Sequence, residues 1–144
     1  MEDQKIDKKM TDINKDPYRY AIKVVFCKWK PHILKGMDFD GATRFNSFSR
    51  RLGITEKVLA DNLQELEADG LIIRTVYPEV PLRVEYSLSE AGKLIIPILE
   101  SVYDWAWHQM KEKDMEIDIY GEMWHGYREK DLEFMGSIDK RNRK

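Results

Sequence analysis

The sequence predicts a mainly helical α+β domain, and three observations carry that expectation. Leu59, Leu63 and Leu66 fall at i, i+4 and i+7, the spacing of one helical stripe. Two β-rich runs, Leu71 to Val76 and Arg83 to Leu88, flank a proline-containing loop, Pro78-Glu79-Val80-Pro81-Leu82. A second long apolar helical pattern follows the hairpin, from Ser89 to Met110.

At 144 residues, 42% hydrophobic and 35% charged, the chain has the size and balance of one globular domain. Its single cysteine, Cys27, rules out an intrachain disulfide and hence a disulfide-stapled scaffold. The opening MEDQKIDKKM lacks an apolar targeting core, and no apolar run approaches the ~18 residues of a membrane span. The expectation is a cytoplasmic protein with no membrane partner. The formal net charge of −2 means that a case for nucleic acid must rest on where the charges lie.

Residues 1–15 are polar and unpatterned, an expected loose arm. The domain is expected over 16–110, beginning with a short helix at Tyr18 to Val25. Pro31 suits the first turn of the next helix, where its missing N–H costs nothing. Phe39-Asp40-Gly41 reads as a turn. Asn46 is the expected N-cap of a helix from Ser47 to Leu52, with Phe48 and Leu52 inward. Gly53 breaks the chain, Thr55 caps a longer helix to Asp69, and Gly70 sits where a C-terminal glycine belongs.

Short helix, glycine turn, amphipathic helix is the layout of a helix-turn-helix. The second strand alternates as Val84, Tyr86 and Leu88, and prolines at a hairpin tip stiffen it without removing ladder hydrogen bonds. The whole order is that of a winged helix-turn-helix with a two- or three-stranded wing. It equally fits a small α+β domain whose hairpin only covers the core.

The helix expected from Ser89 to Met110 carries Leu94, Ile95, Ile98, Leu99, Val102, Trp105 and Ala106, more than one face. The surplus suggests a second copy of the chain, with a C-terminal tail folding back as the other possibility. Residues 111–144 form a charged extension in which one more helix, 120–135, is expected.

From Lys28 to Gly92 the chain resembles the HxlR-type winged helix-turn-helix transcriptional regulators. The blocks that carry the resemblance are Lys28-Trp29-Lys30-Pro31, Arg44-Phe45-Asn46, Gly53-Ile54-Thr55-Glu56-Lys57-Val58-Leu59, Leu63 to Leu71, Arg74 to Pro81, Arg83 to Leu88 and Glu90-Ala91-Gly92. The resemblance implies a dimer that binds operator DNA through a helix and a wing, with the first and last helices building the dimer. Tyr18, Ile22, Ile95, Ile98, Leu99, Val102 and Trp105 are the expected interface. The chain departs from the family in having Asp16 before the helix-opening Pro17, where several thiol-sensing relatives carry cysteine. Cys27 is displaced from that position and is expected to be buried and inert.

A recognition helix reads bases with its N-terminal turns, which selects Thr55, Lys57 and Val58, with Asp61 next and Asn62 on the flank. Lys57 suits a guanine edge or a phosphate, Val58 a thymine methyl and Asp61 a cytosine amine. Lys30, Arg44, Arg50 and Arg51 are the expected phosphate contacts. Pro78 and Pro81 would hold Arg83 at a fixed height for a narrow minor groove. The competing reading pairs Arg83 with Glu79 or Glu85.

Catalysis is not expected. His32, His108 and His125 are isolated, no metal-ligand spacing or phosphate-binding glycine loop occurs, and no cofactor is implied. The alternative is a winged helix used purely for protein interaction. Trp105, Trp107, Trp124, Tyr103 and Tyr120 could form dimer core or line a pocket for a small-molecule effector.

Overall fold

The structure, a computed structural model, describes residues 15–117, apart from the side chain of Arg51. The arm up to residue 14, the helix expected at 120–135, and Tyr120, Trp124 and His125 lie outside the described residues.

Helix α1 (Pro17–Val24) opens with proline at its first position, and the Asp16 carboxylate accepts from the Tyr18 N–H at 3.0 Å. Just past its end Cys27 is exposed, which corrects the expectation of a buried thiol. The cause is local: the thiol donates to the carbonyls of Lys23 and Ile22, at 3.2 and 3.4 Å. Last-turn carbonyls lack helical partners, and the thiol caps two of them at the surface.

Helix α2 (Lys30–Asp40) has Pro31 in its first turn and buries Ile33, Leu34, Gly36 and Met37. It runs through Phe39 and Asp40, so the turn begins later than the sequence suggested. Gly41, at φ 72°, is the first residue that leaves helical backbone. Strand β1 (Thr43–Arg44) then feeds directly into helix α3 (Phe45–Leu52). Arg44 is therefore the N-cap, with extended backbone and no side-chain capping bond, and Asn46 lies inside the first turn.

Gly53, at φ 64°, makes the left-handed turn, and its N–H reaches the Ser49 carbonyl at 3.1 Å. The Ser49 hydroxyl spans the turn to the Ile54 carbonyl at 3.1 Å. Thr55 Oγ1 then accepts from the Val58 N–H at 3.2 Å and starts helix α4 (Glu56–Ala68). Leu59, Leu63 and Leu66 are fully buried, as their spacing required. Helix α4 ends with paired bonds from Gly70 N–H to Glu67 and from Leu71 N–H to Leu66, which satisfy two terminal carbonyls.

Strands β2 (Ile72–Tyr77) and β3 (Arg83–Leu88) pair in register from Ile72↔Leu88 to Tyr77↔Arg83. With β1 they form an antiparallel sheet of order β1-β3-β2, so the wing has three strands.

Helix α5 (Glu90–Glu112) is stitched to the end of α4. The Ser89 hydroxyl accepts from Gly92 N–H at 3.1 Å and donates to the Gly70 carbonyl at 2.5 Å, while Ser89 N–H bonds to the Leu71 carbonyl at 3.0 Å. A Cβ on Gly92 would fall 2.1 Å from the Leu71 oxygen, so this approach requires glycine. Along α5, Gly92, Ile96 and Leu99 are buried and Ile95 packs on the same core. Ile95 and Leu99 thus leave the expected dimer face. The outward stripe is Leu94 (75% exposed), Ile98 (52%), Val102 and Trp105 (66%), at i, i+4, i+8 and i+11. Tyr18 and Ile22 of α1 are also exposed. No described helix is long and apolar enough to cross a membrane.

Candidate nucleic-acid interface

Burial of one leucine stripe fixes which side of α4 meets solvent. Lys57, Asp61 and Gln64 occupy that side, with Ala60 beside them. Thr55 lies at the N-terminus of the helix, its hydroxyl already committed to the cap, and Lys57 and Asp61 form no ion pair among the described residues. Val58 and Asn62 stand lower. Val58 is half-buried against the core, and the Asn62 amide donates to the Val58 carbonyl at 2.7 Å. Gln64 was not singled out from the sequence. The signal was available, since it is seven residues after Lys57 and on the same face.

Two exposed cations lie on the elements that precede this helix. Arg44, the last residue of β1, and Arg50, on α3, are exposed and without an ion pair among the described residues. Asn46, Ser49 and Arg50 line a cleft with Glu56 of the first turn of α4, so α3 and the N-terminus of α4 share one polar surface. The side chain of Arg51 is outside the described residues. Arg74, exposed on the edge strand β2, is a further cation without an ion pair among the described residues, one that pattern reading passed over.

Lys30 does not belong to this set. It is 2% exposed, and its Nζ lies 2.6 Å from Glu65 Oε2 on α4. A buried ammonium engaged by a carboxylate cannot serve a phosphate.

Arg83 is held as well. Its guanidinium stacks on the Tyr77 ring at 3.9 Å, with Glu79 at 3.3 Å and Glu85 at 3.9 Å. The hairpin carries Arg74 and Arg83 against Glu79 and Glu85 and is electrically balanced. In this structure the competing reading of Arg83, a cation neutralised within the wing, describes its contacts. Glu56, Asp61 and Glu67 are exposed on α4 and add local negative charge, with Glu56 in the same cleft as Arg50.

Among the described residues no group of three or more His, Cys, Asp or Glu side chains could hold a metal ion. Trp105 stands in solvent, while Trp107 meets His108 edge-on with ring centres 5.2 Å apart.

Residues 24–114 match the family model described as HxlR-like helix-turn-helix. An uncharacterised HTH-type transcriptional regulator of Halalkalibacterium halodurans is 41% identical over 98 residues, 67% of this chain and 87% of that protein. One from Methanothermobacter thermautotrophicus is 44% identical over 99 residues, 65% of this chain and 75% of that protein. Among solved structures, the redox regulator HypR in its reduced form superposes with a TM-score of 0.64 and 38% identity, covering 69% of this chain and 98% of that one.

Proposed function

Because this chain belongs to the HxlR-like helix-turn-helix family, we propose that it is a DNA-binding transcriptional regulator that works in the cytoplasm as a homodimer. One observation carries the reading: an N-capped helix that turns Lys57, Asp61 and Gln64 to solvent, preceded by the exposed Arg44 and Arg50, which form no ion pair among the described residues. Helix α4 enters a major groove with Thr55 and Lys57 leading. Asp61 selects a cytosine amine and Gln64 an adenine edge, with Val58 and Asn62 at the margin. Arg44, Arg50 and Arg51 take phosphates.

The wing lies along the neighbouring minor groove. Arg83 reaches a phosphate there by exchanging the Glu79 carboxylate for it, since the 3.3 Å pair is half in solvent. The outward stripe of α5, Leu94, Ile98, Val102 and Trp105, joins two copies, with Tyr18 and Ile22 of α1 alongside. The near-neutral charge and the acids on α4 favour a second reading, a winged helix that binds a protein partner.

Fluorescence anisotropy with a duplex from upstream of the chain's own gene, titrated with salt, separates the two. A regulator binds it and weakens steeply as salt rises, and Lys57→Ala reduces affinity. Absence of binding at low salt would leave the protein-interaction reading standing.

A further inference from the structure

Helix α2 makes two inter-element ion pairs. Lys30 Nζ lies 2.6 Å from Glu65 on α4, and Lys35 Nζ lies 2.5 Å from Glu100 on α5, with Asp38 at 3.9 Å. The two lysines are five residues apart, so they are ~7.5 Å apart along the axis and roughly 140° apart around it. One therefore points toward the recognition helix and the other toward the helix that carries the exposed apolar stripe.

The Lys30 pair is not an ordinary surface contact. Lys30 is buried and stands at the N-terminus of α2, where the helix dipole disfavours a cation and where the first turn holds no acid. An apolar residue of that length would serve stability as well or better. What the ion pair adds is direction, because a buried ammonium can donate to its carboxylate in few geometries. Lys35 pairs with a residue 65 positions away in the sequence and joins the α2–α5 packing.

We propose that Lys30 and Lys35 are positioning residues that make α2 a rigid strut between the recognition helix and the dimerisation helix, fixing the separation of the two recognition helices in a dimer. The inference rests on the homodimeric DNA-binding reading above. Half-sites on DNA are spaced by the helical repeat, so the strut sets which spacing is accepted. Neither lysine touches DNA. Their loss relaxes spacing selectivity without removing a base contact.

The test uses the full chain and a duplex that the wild-type protein recovers from a randomised pool. Affinity is measured for that duplex and for versions with the half-sites moved a base pair closer or farther apart. The wild type prefers its own spacing several-fold. In Lys30→Met, Lys35→Met and Glu100→Gln that preference falls to near parity while dimerisation persists. The swap Lys35→Glu with Glu100→Lys, made together with Asp38→Asn to remove the carboxylate 3.9 Å from position 35, restores it, whereas a defect that merely loosens the fold weakens binding at every spacing alike.

Lys30→Met carries an apolar chain of similar length and is expected to fold. Should it not, Lys35 and Glu100, both partly exposed, decide the matter. Undiminished spacing preference in folded Lys35→Met and Glu100→Gln dimers overturns the strut, as does a swap that restores nothing. If the wild-type chain recovers no duplex at all, the DNA-binding reading fails, and the strut with it.

Discussion

Arg83 lies directly across the hairpin from Tyr77, with its guanidinium carbon 3.9 Å from the centre of that ring. Two carboxylates flank it, and its Nε is buried without a hydrogen-bond partner, the 3.9 Å to Glu85 being too long for one. Much of this side chain therefore acts on the wing itself. Arg83→Ala should lower stability by about 1–2 kcal/mol in urea unfolding. If Arg83 also reaches phosphate in the complex, the slope of log affinity against log salt falls by about one. An unchanged slope confines its role to bracing the hairpin.

Asp61 stands on the outward face of α4 with no ion pair among the described residues. Its carboxylate repels every phosphate and is offset only where a donor such as a cytosine amine meets it. Asp61→Asn should raise affinity for random duplex by about five-fold at low salt, the size of one charge interaction of ~1 kcal/mol. Specificity should drop with it. Competition binding between selected and random duplexes reads both effects.

Ile98 and Leu99 are neighbours in sequence with opposite environments, one 52% and the other 5% exposed. Ile98→Glu should produce a folded monomer by sedimentation equilibrium. Leu99→Ala should leave the oligomeric state alone and cost about 2–5 kcal/mol of stability, as core truncations do. The reverse outcome would place the interface on another face of α5.

His32 offers a pH dependence. Burial in the first turn of α2 lowers its pKa below 6.5 and outweighs a backbone hydrogen bond with Lys28 that favours the charged ring. The unfolded chain therefore takes up the proton at a higher pH than the folded one. The contribution is complete above about pH 6.5 and is lost as pH falls from there through the folded pKa. Urea midpoints measured from about pH 7.5 down to 5.5 should decline in the wild type and flatten in His32→Gln.

Gly92 tests the packing of α5 against the end of α4. A methyl group there meets the Leu71 carbonyl oxygen, a backbone atom that cannot rotate away. Gly92→Ala should cost about 1–3 kcal/mol, the range for overpacking, despite the better helix propensity of alanine. Equal or higher stability in thermal unfolding would mean that the α5 docking is looser than its geometry.

What the amino-acid order determined by itself was local and periodic. Thr55, Ser89 and Asp16 each cap the helix they precede because a short side-chain oxygen reaches an N–H two or three residues on. Gly53 and Gly70 end helices because they adopt positive φ at little cost, and the leucines of α4 are buried because their spacing makes one stripe. Such effects act within a turn or two of chain, so the winged helix was legible without coordinates. Tertiary structure decided everything that joins distant segments. An apolar helix like α5 has no unique inward face, and only docking against α2 turned Leu99 in and Leu94 out. Lys30 looks like any basic residue near a DNA-binding element until the fold buries it against Glu65. Charge partners are set by distance in space, and sequence separation carries no record of that distance.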